Sequence, residues 1–218
     1  MSSYSAGLKT REKIIETASE LFYTKGYEST TYAMICEKAD IKQGTLHYHF
    51  DSKLTLAKCI YSRIVENLDA ELEQLDYDHS DAMLSFGVRE YVNLYKIYKD
   101  ANYERFMTRI TPEYVDNDLE MYYYTYDSIL EPLCSNLTKD VQLQHMRTAA
   151  CMALDMLPNF YKDVLPGGEL FDNFFRYTIG LRFFALGFEA ERVEHCADEV
   201  IEVMHRSNLE KLNTTFLF

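Results

Sequence analysis

The sequence predicts an all-α protein, with a three-helix N-terminal domain over residues 1–52 and a larger helical domain over 53–218. Three observations carry this. Apolar residues fill 47% of the 218 positions and recur at three- and four-residue spacings, with no sustained alternating pattern. Only 8 glycines and 4 prolines punctuate the chain, which suits helices joined by short breaks. The breaks themselves, such as Thr111-Pro112 and Pro166-Gly167-Gly168, fall between apolar-periodic runs.

Taken in order, residues 1–7 read as a short arm. A helix over 8–25 follows, with Ile14, Ile15, Ala18, Leu21 and Phe22 on one stripe and Gly26 as its C-cap. Lys9, Arg11 and Lys13 at its start read equally as phosphate contacts or as a solvated face, and Tyr27 is expected to fold back onto the core. The next helix covers 31–39, with Ile35 and Ala39 four apart and the hydroxyls of Ser29, Thr30 and Thr31 available to its first N–H groups. A corner over 40–43 carries Asp40, a turn former, and Ile41 as an apolar plug.

The third helix, 43–49, is under two turns long. So short a helix is marginal alone in water and must be held by packing. Leu46 and Phe50, four apart, are its anchors, which leaves Lys42, Gln43, Thr45, His47, Tyr48 and His49 on its outer surface. A helix over 53–75 then starts from Asp51 or Ser52 as N-cap. It runs through Leu56, Ile60, Ile64 and Leu68 into the second domain and links the two mechanically. Beyond a polar break at 76–81, helices are expected at 81–98, 101–110, 113–135, 139–162, 168–190 and 192–212. The apolar tail NTTFLF either tucks onto a helix or frays.

Two short helices around a tight corner, the second bristling with hydrogen-bonding side chains, form a helix-turn-helix whose second helix suits a DNA major groove. The residues Thr31, Ile35-Cys36, Ala39, Ile41, Gly44, Thr45-Leu46, Tyr48-His49-Phe50 and Lys53 make the stretch over about 9–60 resemble the DNA-binding domain of the tetracycline-repressor (TetR) family. Asp40 departs from the family's usual glycine and Lys42 from its serine or threonine. The resemblance implies a homodimer that binds a partly palindromic double-stranded operator and is released by a small-molecule effector. It implies DNA contacts from Thr31, Lys42, Gln43, Gly44, Thr45, His47, Tyr48, His49 and Lys53. Of these, Thr45 and Tyr48, with Lys42, Gln43 and His47, approach bases, and Thr31, His49 and Lys53 mainly hold phosphates.

Charge agrees with that division. The formal net charge is −13, yet residues 1–63 carry nine Lys/Arg against seven Asp/Glu, and the remainder 13 against 28. Screening over roughly 8–10 Å makes local charge decide phosphate binding.

Most of the 18 tyrosines lie after residue 75. Phe86, Tyr91, Phe106, Tyr122, Tyr126, Met152 and Met156 combine apolar rings with adaptable thioethers and suit a cavity for a flat, lipophilic or cationic compound, with Glu90, Glu104 or Glu120 as counter-charge. The same residues also suit a solid core, which leaves an effector-independent DNA binder as the second reading. Gly180 and Gly187, seven apart beside Phe175, Ile179 and Phe183, suit close helix approach, either across a dimer interface or within one subunit.

Catalytic signatures are absent: the chain has no G-x-G-x-x-G, Walker loop, G-x-S-x-G or H-E-x-x-H. No enzyme activity and no cofactor are expected. His47 and His49 diverge on a helix, and His195, Cys196, Asp198 and His205 match no common zinc spacing, so no metal site is expected. The five cysteines are odd in number and lack a C-x-x-C pair. No apolar run is long enough for a membrane, and a cytoplasmic location is the expectation.

Overall fold

The computed structural model describes residues 3–117, 137–138, 140–141, 144 and 167–218, and these residues form an all-α fold. The helices are α1 (Ser3–Lys25), α2 (Tyr32–Ala39), α3 (Gln43–His49), α4 (Lys53–Leu72), α5 (Ala82–Lys99), α6 (Ala101–Asn117), α7 (Glu169–Ala185) and α8 (Ala190–Arg206), with a 3-10 turn at Leu209–Lys211. Helices α1 to α3 make the N-terminal helix-turn-helix domain, and α4 leads into the larger helical one.

Helix α1 starts at Ser3, so the arm expected over 1–7 is largely helical. Ile14, Ile15, Ala18 and Phe22 are fully buried. Gly26 ends the helix at φ +90°, a conformation that only glycine adopts cheaply. Thr30 pins the turn by donating its hydroxyl to the Gly26 carbonyl at 2.9 Å. Thr31 caps α2 by accepting the Met34 N–H at 3.3 Å. Asp40 closes α2 at φ 51°, and its neighbour Ile41 donates to the Cys36 carbonyl at 3.0 Å. Aspartate tolerates this left-handed conformation better than most residues, which explains its standing in for glycine.

Ser52 caps α4 through the Thr55 N–H at 3.0 Å, and α4 ends at Leu72, three residues earlier than expected. Asp81 caps α5 through the N–H groups of Met83 and Leu84, at 2.8 and 3.0 Å. Helix α6 runs through Thr111-Pro112, where a break was expected. A proline removes one hydrogen bond without having to end a helix. The helices expected over the rest of 113–135 and over 139–162 lie outside the described residues. Helix α7 stops at Ala185, and Gly187, at φ +87°, turns the chain toward α8.

The core runs without a break from α1 through α4 and α5 to α7 and α8. Gly87 marks a tight crossing of α5 and α8, since an added Cβ would meet the Val200 side chain at 2.6 Å. The tail tucks: Phe216 is 2% exposed, with its ring 4.6 Å from that of Phe106 and 5.2 Å from that of Tyr23.

The α1–α4 packing is guarded by Arg63, which donates both terminal nitrogens to the Glu12 carboxylate. The Arg63 hydrogen bond holds the Glu12 carboxyl below its ordinary value of 4.5. A carboxylate whose pKa is lower when folded stabilises the fold above its unfolded pKa and ceases to do so as pH falls through the folded one. Acid unfolding below pH ~4.5 is therefore expected to be shallower in Glu12→Gln than in the parent, as a pH titration of the circular dichroism would read.

Candidate nucleic-acid interface

Helix α3 turns Leu46 fully inward, with Phe50 2% exposed just past its end. These two anchors fix the orientation of everything between them. Tyr48 is 84% exposed, and Lys42, Gln43, Gly44 and His47 are also exposed, with Thr45 and His49 half-buried. Two ring contacts stiffen the outer face. The His47 ring lies edge-on to Tyr32 of α2 at 5.0 Å, and the Tyr48 and His49 rings meet at 5.1 Å. Tyr32 in turn donates to the Phe50 carbonyl at 3.3 Å, and burial pushes its phenol up to about 12, so it stays a donor across the physiological range. The Gln43 carboxamide sits 3.4 Å from the His47 ring nitrogen, one helical turn on.

Gly44 carries a separate signal. A Cβ placed there would meet nothing within 4 Å, so nothing within the chain demands a glycine. Inside a helix glycine costs about 1 kcal/mol against alanine.

Lys53 is engaged within the chain. Its ammonium donates to the carbonyls of Tyr27 and Thr30, at 2.9 and 3.1 Å, and lies 4.3 Å from the centre of the Tyr27 ring. It ties the α1–α2 turn to the start of α4 within the chain itself. Thr31 is exposed, with its hydroxyl engaged as the α2 cap.

The chain's likeness to known proteins agrees with this geometry. Residues 14–59 match the model of the bacterial regulatory proteins of the tetR family. The helix-turn-helix domain belongs to the TetR family. That family comprises transcriptional regulators rather than enzymes. Among relatives, the negative transcriptional regulator IcaR of the biofilm operon icaADBC in Staphylococcus epidermidis is 28% identical over 113 residues, covering 50% of this chain and 59% of that protein. IcaR of Staphylococcus aureus (strain Newman) is 45% identical over 56 residues, covering 26% of this chain and 28% of that protein. The chain thus spans less than two thirds of the length of either relative. Among solved structures, a gamma-butyrolactone receptor (ArpA-like protein) aligns over 92% of this chain and 100% of its own, with 16% identity and a TM-score of 0.48. CprB from S. coelicolor A3(2) aligns over 91% and 100%, with 18% identity and a TM-score of 0.48.

Beside the TetR-type domain, α6 forms a seam that the sequence did not announce. Tyr23 donates to Asp100 at 2.5 Å, Arg105 donates to the Tyr23 carbonyl at 2.7 Å, and Arg109 pairs with Glu28. The DNA-proximal domain is thus tied to the rest of the chain through α6 as well as α4.

The residues expected to line an effector cavity divide. Tyr122, Tyr126, Met152 and Met156 lie outside the described residues. Phe106 belongs to the α1–α6 seam, with its ring 5.9 Å from Phe22. Phe86 and Tyr91 are fully buried; Phe86 packs on Phe183, and Tyr91 lies edge-on to Phe171 and Phe175. Tyr91 also donates to Asp172 at 2.7 Å, and the same carboxylate meets His205 at 2.8 Å, so one network joins α5, α7 and α8. Glu90 is 3% exposed and paired with Arg182 of α7, which commits one of the three expected counter-charges to an internal ion pair; Glu120 lies outside the described residues.

Of the residues expected at a dimer interface, the apolar ones turn inward. Phe175, Ile179 and Phe183 are core residues, at most 1% exposed. Gly180 is covered by Phe184 of its own helix, 3.3 Å from an added Cβ, and Gly187 lies past the end of α7. The outer face of α7 instead carries Leu170, Tyr177 and Phe184, exposed by 65, 49 and 50% and seven residues apart. His195, Asp198 and His205 point to Glu199, Arg176 and Asp172 respectively, and no group of three potential ligands gathers among the described residues. No described helix is long and apolar enough to cross a membrane.

Proposed function

We propose that this chain is a DNA-binding transcriptional repressor that acts as a homodimer on a partly palindromic operator and is released by a small lipophilic or aromatic effector. The observation that carries it is the exposed Tyr48 on a seven-residue helix held rigid from beneath by Leu46 and Phe50. Lys42, Gln43, Thr45, His47 and Tyr48 reach base edges; Thr31 and His49 lie toward phosphates; Gly44 lets the backbone come close. Lys53 contributes through position, since it braces the turn before α2. The relatives' description as negative transcriptional regulators supports the sign of regulation.

One α3 reads too few bases to discriminate among sites. Two-fold pairing would place a second copy about 34–36 Å away, in the next major groove. The stripe of Leu170, Tyr177 and Phe184, on the opposite side of α7 from its buried phenylalanines, supplies a face for that pairing. The division into an operator-reading unit over 1–52 and an effector and pairing unit over 53–218 follows. An effector releases DNA only through tighter binding to the non-binding arrangement, and a 100-fold loss of DNA affinity takes about 2.7 kcal/mol of such preference. The full packing of Phe86, Tyr91 and Phe106 favours a second reading, a DNA binder with no effector. A melting screen against lipophilic and cationic compounds separates the two, since only a cavity yields ligand-dependent shifts.

Gly44→Ala provides a test with opposite signs. Filling open space in a helix raises stability by about 1 kcal/mol. The added methyl stands between the α3 backbone and the duplex, so affinity for DNA selected from a random pool falls at least several-fold. A variant both more stable and equally tight on DNA would place the interface elsewhere.

A further inference from the structure

The tail of the chain fills a slot between the helix-turn-helix domain and the larger one. The Phe216 ring, 2% exposed, meets Tyr23 of α1 at 5.2 Å, and Phe106 and Tyr103 of α6 at 4.6 and 6.3 Å. Its carbonyl accepts the buried Ser19 hydroxyl at 2.5 Å. Further along the tail, the Phe218 ring lies 5.6 Å from the guanidinium carbon of Arg63 on α4. An extended segment with no helix of its own beyond Lys211 thus contributes one large ring to a seam whose two walls come from different domains.

We infer that this slot is a binding site for one aromatic ring bearing a carbonyl acceptor, that the chain's own Phe216 is its resident occupant, and that displacing it loosens α1 from α6. Both recognition elements are visible. Three rings grip the aryl group, largely edge-on or tilted, the arrangement that aromatic pairs prefer. The Ser19 hydroxyl is a buried donor, and leaving such a donor unsatisfied is costly, which selects for an occupant with an oxygen near its ring. The tail is well placed to yield. It has no helix of its own beyond Lys211, and a tethered segment of this kind competes at an effective concentration on the order of millimolar. An external aryl carbonyl compound therefore gains access once it exceeds that range or binds better than the tail. On displacement, Tyr23–Asp100 and Arg105 remain as the polar ties between α1 and α6, without the ring that seals them from water.

The test uses the full chain carrying Phe216→Ala, with N-acetyl-phenylalanine amide as probe and N-acetyl-leucine amide as control. The variant is expected to melt roughly 10 °C below the parent. Millimolar phenylalanine amide should recover part of that loss and slow amide exchange along α1, the leucine amide should recover little, and adding Ser19→Ala should weaken the recovery. Should Phe216→Ala fail to fold, Phe216→Leu keeps the apolar volume. Its α1 amides are expected to exchange several-fold faster than the parent's while those of α7 and α8 are unchanged. Parent-like melting and α1 exchange in either variant, or no recovery by the aryl probe where the slot has been emptied, overturns the inference. These readouts need no DNA, so their failure is distinct from failure of the repressor reading.

Discussion

Tyr48→Ala lowers affinity for a selected operator by about 10- to 100-fold at fixed salt while leaving the melting temperature nearly unchanged. The second half follows from the 84% exposure of Tyr48. So exposed a side chain contributes little to the fold, and surface substitutions of this kind stay within about 0.5 kcal/mol. In a major groove the same ring loses its water against bases and thymine methyls. Each good base contact contributes about 1–3 kcal/mol to discrimination. Fluorescence anisotropy at a fixed ionic strength reads the effect, because phosphate contacts change steeply with salt and would otherwise obscure it. A loss of affinity that vanished on non-specific duplexes would mark Tyr48 as a reader of sequence. A uniform loss on all duplexes would mark it as a backbone contact.

Glu90→Ala is expected to destabilise the protein by about 3–5 kcal/mol, because it removes the carboxylate that the nearly buried Arg182 guanidinium meets between α5 and α7. For a chain of this size that is a fall in melting temperature on the order of 10 °C. The Glu90 and Arg182 side chains are 4% and 10% exposed, so the pair is nearly removed from water. Replacing both by Met restores most of the loss, since a buried ion pair and an apolar pair of similar volume differ little in net stability. Paired denaturant titrations of the single and double variants give the coupling directly. A single variant as stable as the parent would mean that the pair is open to solvent, and would return Glu90 to the role of counter-charge for a cationic effector.

The contrast between these two residues shows what a sequence discloses. The helix-turn-helix was legible because it is built from short-range rules: apolar positions four apart, a hydroxyl before α2, a turn former at Asp40. The bounds 43–49 anticipated for α3 are those observed. Tyr48 could be placed outward because Leu46 and Phe50 had to point inward. Glu90 could not be placed, since its partner lies on α7, far along the chain, and no local pattern joins them. The same limit hid the Tyr91–Asp172–His205 network and the seat of Phe216.

Helix α7 was ambiguous for a different reason. It has two apolar faces, one with Phe175, Ile179 and Phe183 and another with Leu170, Tyr177 and Phe184. Periodicity alone cannot say which of two such faces meets the core. At Gly187, which lies past the helix end at positive φ, a glycine that ends a helix and one that admits a neighbour look alike before φ is known. Lys53 shows the reverse ambiguity, a cation that suited a phosphate and holds two carbonyls of its own chain.

The most direct measurement is an amide chemical-shift titration of the labelled full chain with duplex selected from a random pool. The largest shifts are expected at the start of α2 and along α3, from Lys42 to His49, with smaller ones at the Tyr27–Thr30 turn that Lys53 braces. Shifts confined to the larger helical domain, with the α3 amides unmoved at saturating duplex, would contradict the assignment of α3 as the reading element.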